Sequence, residues 1–147
     1  MTKPVADIVY DFYWASSDLA ANLLFLSANP DKPSLQQSVT DPKAALPLTI
    51  PALRQQFEKY AAPFMALTGK DLPQDQHVSF STIEDSMNET IIPALDVLDE
   101  TWEAFTAAPA ENTTRLRDDC DYVRCELEMF VVATASGMAK DMKPGVL

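Results

Sequence analysis

Glycine is scarce in this chain, with three residues in 147, and histidine occurs once. So few glycines disfavour a β-rich architecture, whose tight turns draw on residues that tolerate positive φ. The glycine-rich loops that cradle nucleotide phosphates are absent as well. A single histidine, His77, without any E-x-x-H tract excludes the di-iron bundles, which carry that motif on two helices.

The other catalytic and metal-binding signatures are also missing. No G-x-S-x-G elbow occurs, and a Cys–His pair would need Cys120 or Cys125 beside His77, for which a surface or capping role is expected. The two cysteines lie five residues apart; on one helix they diverge by about 140°, so they are expected as free thiols. C-x4-C without a nearby histidine is not a zinc signature. No charge-free apolar run approaches the ~20 residues of a membrane span. The N-terminus lacks the pattern of a secretory signal, so a cytoplasmic location is expected and the sequons at Asn88 and Asn112 are discounted. No metal and no cofactor are expected.

Base is missing where acid is rich. From Asp71 to Thr114 there are ten acidic residues and no Lys or Arg, in a chain of net charge -11. That excess disfavours direct nucleic-acid binding and docking on anionic membranes, both of which need Lys and Arg. It permits a basic protein partner. Asp118-Asp119-Cys120-Asp121 resembles, over four residues, the aspartate-rich magnesium motif of isoprenoid enzymes. Arg115, Arg117 and Arg124 stand beside it, so intrahelical ion pairs are expected instead.

What is plentiful is apolar spacing of helical period. The chain reads as a single all-α domain over 1–147, a bundle of four main helices at about 4–28, 50–68, 81–108 and 113–142. A proline-rich 29–49 connection, with a short helix over 34–39, joins the first two. Thr49, Ile50 and Pro51 start the second helix, in which Pro63 predicts a kink. Ser81-Thr82-Ile83-Glu84 reads as a capping box opening the third. Its inner stripe is Ile83, Met87, Ile91, Ala94, Leu98, Trp102 and Phe105, and Pro93 predicts a bend. Asn112 or Thr113 is expected to cap the fourth, whose stripe is Leu116, Cys120, Val123, Leu127 and Phe130.

These readings nominate two surfaces and a pocket. The outer arc of the third helix carries Asp85, Glu89, Asp96, Asp99, Glu100 and Glu103, like charges spaced to repel. The polar face of the first helix holds Trp14 and Phe25 among Asp7, Asp11, Asp18 and Asn22. The functional expectation is a non-catalytic acidic binding protein of the inhibitor, antitoxin, immunity or adaptor type, with a basic protein partner. The alternative is a small-molecule-binding bundle or cofactor-free enzyme whose pocket, under the 29–49 loop, is lined by Tyr10, Tyr13, Trp14 and Trp102. Residues 129–139 carry no charge and include Gly137, so a homodimer through this stretch is a further expectation.

Overall fold

The apolar stripes organise four long helices in the computed structural model, which describes residues 3–29, 35–37, 45–47 and 49–142. Helix α1 (Val5–Ala28) follows Pro4 and buries Val9, Phe12, Leu19, Leu23 and Leu26. Helix α2 (Ile50–Met65) is opened by Thr49, whose hydroxyl accepts a hydrogen bond from the Ala52 N–H at 3.4 Å. Pro51 sits in that first turn, where a missing N–H leaves nothing unbonded. Helix α3 spans 77–107 and helix α4 spans 109–142.

One non-helical residue, Ala108 (φ -145°, ψ 77°), separates α3 from α4. The Asn112 amide donates to the carbonyls of Ala104 and Ala108, both at 3.0 Å, as a second bond to acceptors that already take the N–H of Ala108 and of Glu111. Between α1 and α2, strand β1 (Leu35–Gln37) pairs antiparallel with β2 (Ala45–Pro47), Leu35 opposite Pro47. The helix expected over 34–39 is therefore a strand at 35–37, its backbone bonded to β2 instead of along itself. The expected covering of Trp14 and Phe25 by this connection falls mainly on residues outside those described.

The helices alternate in direction and close into an up–down bundle. Phe12 of α1 stacks on Phe64 near the end of α2, with ring centroids 4.1 Å apart. Phe64 meets Phe80 near the start of α3 at 5.1 Å. The amide of Gln76, just before α3, donates to Asp141 near the end of α4 at 3.3 Å, and Thr101 donates to Asp119 at 2.5 Å. Arg117 of α4 closes the ring by donating to the Ser27 carbonyl at 3.1 Å, one of the open acceptors at the end of α1. The all-α bundle anticipated from the stripes is observed.

Three helix ends differ from expectation. Helix α3 begins at His77, after a 3-10 turn over Gln74–Gln76, so Ser81 is an interior, exposed residue and no capping box forms. Burial of Phe80 against Phe64 holds those earlier turns in the helix. Helix α4 begins at Pro109, four residues ahead of Thr113, because proline suits a first turn. Helix α2 stops at Met65 rather than 68, which puts Pro63 in its last turn; the Ala66 N–H closes that turn onto Ala62.

Both long helices contain a π-turn, at Met87–Ile91 and at Leu127–Val132. A π-turn takes one more residue than an α-turn, so the inward register slips by one position. Beyond Ile91 the buried positions are Leu95, Leu98, Thr101 and Phe105, and the expected Ala94 and Trp102 move to the flank. Beyond Leu127 the core takes Val131, Ala135, Met138 and Ala139, while Phe130 is 41% exposed. Pro93 accounts for the first π-turn. It has no N–H for the Glu89 carbonyl, and the Ile92 N–H bonds to Met87, five residues back. The expected bend is thus taken up as a widened turn. The two π-turns are staggered along the antiparallel pair: Leu127–Val132 lies against residues 77–86 of α3, and Met87–Ile91 against residues 109–126 of α4.

Candidate functional site

The outer acids of α3 divide into two groups. Asp85, Glu89 and Glu100 are exposed, and no ion pair among the described residues engages them. Asp96, Asp99 and Glu103 turn toward α2. There Arg54, an interior residue of α2, donates from Nε to Glu58 at 2.6 Å and from Nη1 to Asp96 at 2.8 Å and Asp99 at 2.5 Å. Partial burial alone would lower the pKa of this guanidinium. The hydrogen bonds it donates to Glu58, Asp96 and Asp99 outweigh that and hold it above the ordinary arginine value. The arc is therefore not free of base, as its own segment suggested; one arginine reaches it from another helix.

Arg54 stands at the middle of a groove between α2 and α3. On one side is a hollow of about 240 Å³ lined by Phe57, Ala61, Ala62, Met65, Met87, Ile92 and Leu95, with Arg54 and Glu58 at its mouth. On the other is a more open trough of about 400 Å³ between Pro51, Gln55, Trp102, Asp99 and Glu103. The two share Arg54 and Glu58 and form one depression. From Pro51 to Met65 it follows about 21 Å of α2. The first π-turn shapes one wall: Met87 lies at its start, and Ile92, just beyond it, is 36% exposed.

The aromatic residues do not assemble as expected. Tyr10, Tyr13 and Trp14 cluster on α1, with Trp14 4.9 Å from Tyr13 and 6.2 Å edge-on from Tyr10. Trp102 is elsewhere, 5.5 Å from Phe105 and at the α2–α3 trough. No hollow among the described residues is lined by all four. Phe25, eleven residues beyond Trp14, is 40% exposed and shares no ring contact with it among the described residues. The polar face of α1 is not solvated throughout, since Asp18 and Asn22 are buried. With Gln56 of α2 they border a hollow of about 10 Å³, room for about one water. The Asn22 Oδ1 has no hydrogen-bond partner among the described residues.

The aspartate run of α4 disperses over the helix. Asp119 accepts from Thr101 of α3, and Asp121 pairs with Arg124 at 3.4 Å, so the two point to different neighbours. Arg124 also pairs with Glu128 at 3.0 Å. No three His, Cys, Asp or Glu side chains among the described residues gather as metal ligands. Cys120 is buried and Cys125 exposed; desolvation, then Asp119 and Asp121, push the Cys120 thiol up to about 12. The His77 Nε2–H faces the carbonyls of Gly69 at 2.8 Å and Leu72 at 3.1 Å, pinning the turn between α2 and α3. Among the described residues no helix is long and apolar enough to cross a membrane.

Sequence reasoning named the acids of this groove but missed Arg54, Glu58 and the apolar wall of α2. The signal was present: Arg54 is the first base of α2, and Ala61, Ala62 and Met65 are small or unbranched where a packed helix would carry bulk. No protein-family model, curated protein or solved structure matches the chain.

Proposed function

We propose that this chain is a non-catalytic acidic binding protein, of the inhibitor, antitoxin, immunity or adaptor type, which recognises a basic face of a protein partner in the cytoplasm. The observation that carries this reading is the placement of Asp85, Glu89 and Glu100, exposed on one helix without an ion pair among the described residues. Unneutralised like charges weaken a helix by ~0.2–0.5 kcal/mol per pair, and a cationic partner would remove that repulsion. A field of one sign steers a basic protein into contact and makes the association steeply salt-dependent.

The test is triple charge reversal of Asp85, Glu89 and Glu100 to Lys. These positions are preferable to Asp96 and Asp99, whose reversal would set lysines against Arg54. Capture from extract of the native host at low salt should retain one basic protein on the wild type and lose it on the reversed variant, with unchanged helical circular dichroism. Equal capture by both overturns the reading.

A second contact is supported by the charge-free stretch of α4. Met129 is 64% exposed, and a Cβ built on Gly137 would meet nothing within 4 Å. The close packing expected at Gly137 is thus not made among the described residues, and a second copy against 129–139 would supply it. Light scattering over a concentration series decides this, and a monomer throughout refutes it.

A further inference from the structure

We infer that the groove between α2 and α3 is the docking site for one amphipathic, basic helical segment of the partner, anchored by an apolar side chain in the 240 Å³ hollow. This rests on the basic-partner reading and adds to it a place, a shape and a second kind of chemistry. Three observations carry it. The hollow is apolar at its walls and opens to solvent between two helices whose remaining contacts bury Phe57, Met87 and Leu95. Its length, about four turns of α2, accommodates a helical segment whose anchors at i, i+4 and i+7 span about 10 Å of it. Its rim is acidic: Glu58, Asp96, Asp99 and Glu103 face one guanidinium, that of Arg54.

The charge on the rim selects the occupant. An acidic or neutral apolar helix would fill the hollow but leave four rim carboxylates against the single guanidinium of Arg54. A second copy of this chain has few bases to offer this rim, with 11 Lys and Arg against 22 Asp and Glu. A segment with Arg or Lys one turn from its apolar anchor satisfies both parts of the groove at once. Arg54 already shows the geometry such a base would use, spanning Asp96 and Asp99 from the α2 side. The partner's arginine would share these carboxylates or take them from Arg54. Trp102 in the adjoining trough offers a ring face to a second cation.

The experiment uses the full chain and a labelled 16-residue helical peptide with leucines at i, i+4 and i+7 flanked by arginines. Two controls replace the leucines by serine or the arginines by glutamate. Anisotropy titrations at 50 and 300 mM NaCl are expected to show saturable binding of the Leu/Arg peptide, at least 10-fold weaker for either control. Ala62→Trp, an exposed position that fills the hollow, should weaken the Leu/Arg peptide at least 10-fold and leave the Ser/Arg peptide unchanged. Ile92→Ser on the opposite wall serves as the second variant. Equal binding of Leu/Arg and Ser/Arg peptides, with no effect of Ala62→Trp, overturns the groove while leaving basic-partner recognition standing. Absence of binding by any basic peptide at 50 mM salt overturns both. Equal binding of the Leu/Glu peptide refutes the role assigned to the rim.

Discussion

Deleting Met129 should leave the protein folded, whereas deleting Tyr122 from the same helix should come close to unfolding it. Both residues are exposed, at 64% and 54%, so neither deletion removes a core side chain directly. They differ in where they fall. Met129 lies inside the π-turn Leu127–Val132, which already holds one residue more than an α-turn. Removing it lets that turn become α-helical, and Val131, Ala135 and Met138 keep their inward direction. The expected change is within ~1 kcal/mol, as for an exposed substitution. Tyr122 lies in a regular α-helical stretch, where one deletion rotates everything beyond it by about 100°. Up to the slack of the π-turn this takes Val123 and Leu127 out of the core, or Leu116 and Cys120 if the first half gives way. Two such side chains are worth about 3–6 kcal/mol, against a typical total of ~5–15. At ~2–4 °C per kcal/mol, the melting temperature should fall by about 6–24 °C. Thermal and urea unfolding followed by circular dichroism compares the two deletions with the wild type. If Met129 and Tyr122 deletions destabilise equally, the register-slip account of α4 is wrong.

Three further outcomes follow from particular contacts. Arg54→Gln should lower stability by about 1–2 kcal/mol at 50 mM salt, since three partly exposed pairs are lost together, and by less at 1 M salt; an unchanged difference at high salt would contradict a charge origin. The Cys120 thiol is raised from the ordinary value to about 12, so the folded state holds its proton more tightly than the unfolded chain. This stabilisation is fully present below the unfolded-state value, and it declines as pH rises from there toward 12, by up to ~1.4 kcal/mol per unit; Cys120→Ala should remove that slope in alkaline urea titrations. Finally, His77→Ala frees the carbonyls of Gly69 and Leu72 and should speed amide exchange across 66–76, with a global loss of only ~1 kcal/mol; protection unchanged in that turn would rule out the pinning role.

The four helices were legible because each carries an unbroken apolar stripe of helical period. Their ends and registers were less so, for identifiable reasons. The S-x-x-E pattern at Ser81 is chemically a good cap, but Phe80, buried against Phe64, carries the helix past it. A cap hydrogen bond is worth about 1 kcal/mol and a buried aromatic ring about 1.5–3, so the ring decides where the helix starts. The slip from Phe130 to Val131 was illegible because steps of three and four residues fit a stripe equally well until a neighbour selects one. The candidate site was half visible. Its acids lie on one helix and announce themselves, whereas Arg54, Ala62 and Met65 join them only through the antiparallel approach of α2. Nothing in Leu127–Val132 itself marked a π-turn, while Pro93 did mark the first one, as a bend.

The one-residue junction at Ala108 has a consequence for the order in which the chain folds. Bringing α3 and α4 together confines almost no intervening chain, whereas α1 and α2 must close the 29–49 connection, and loop entropy grows with length. The α3–α4 hairpin is thus expected to nucleate, α2 to join it over the shorter 66–76 connection, and α1, beyond the longest connection, to dock last. Leu98→Ala should therefore slow refolding, while Leu19→Ala should mainly speed unfolding; the reverse pattern in stopped-flow kinetics would exclude this order. The groove, whose walls are α2 and α3, is then in place before α1 closes the bundle.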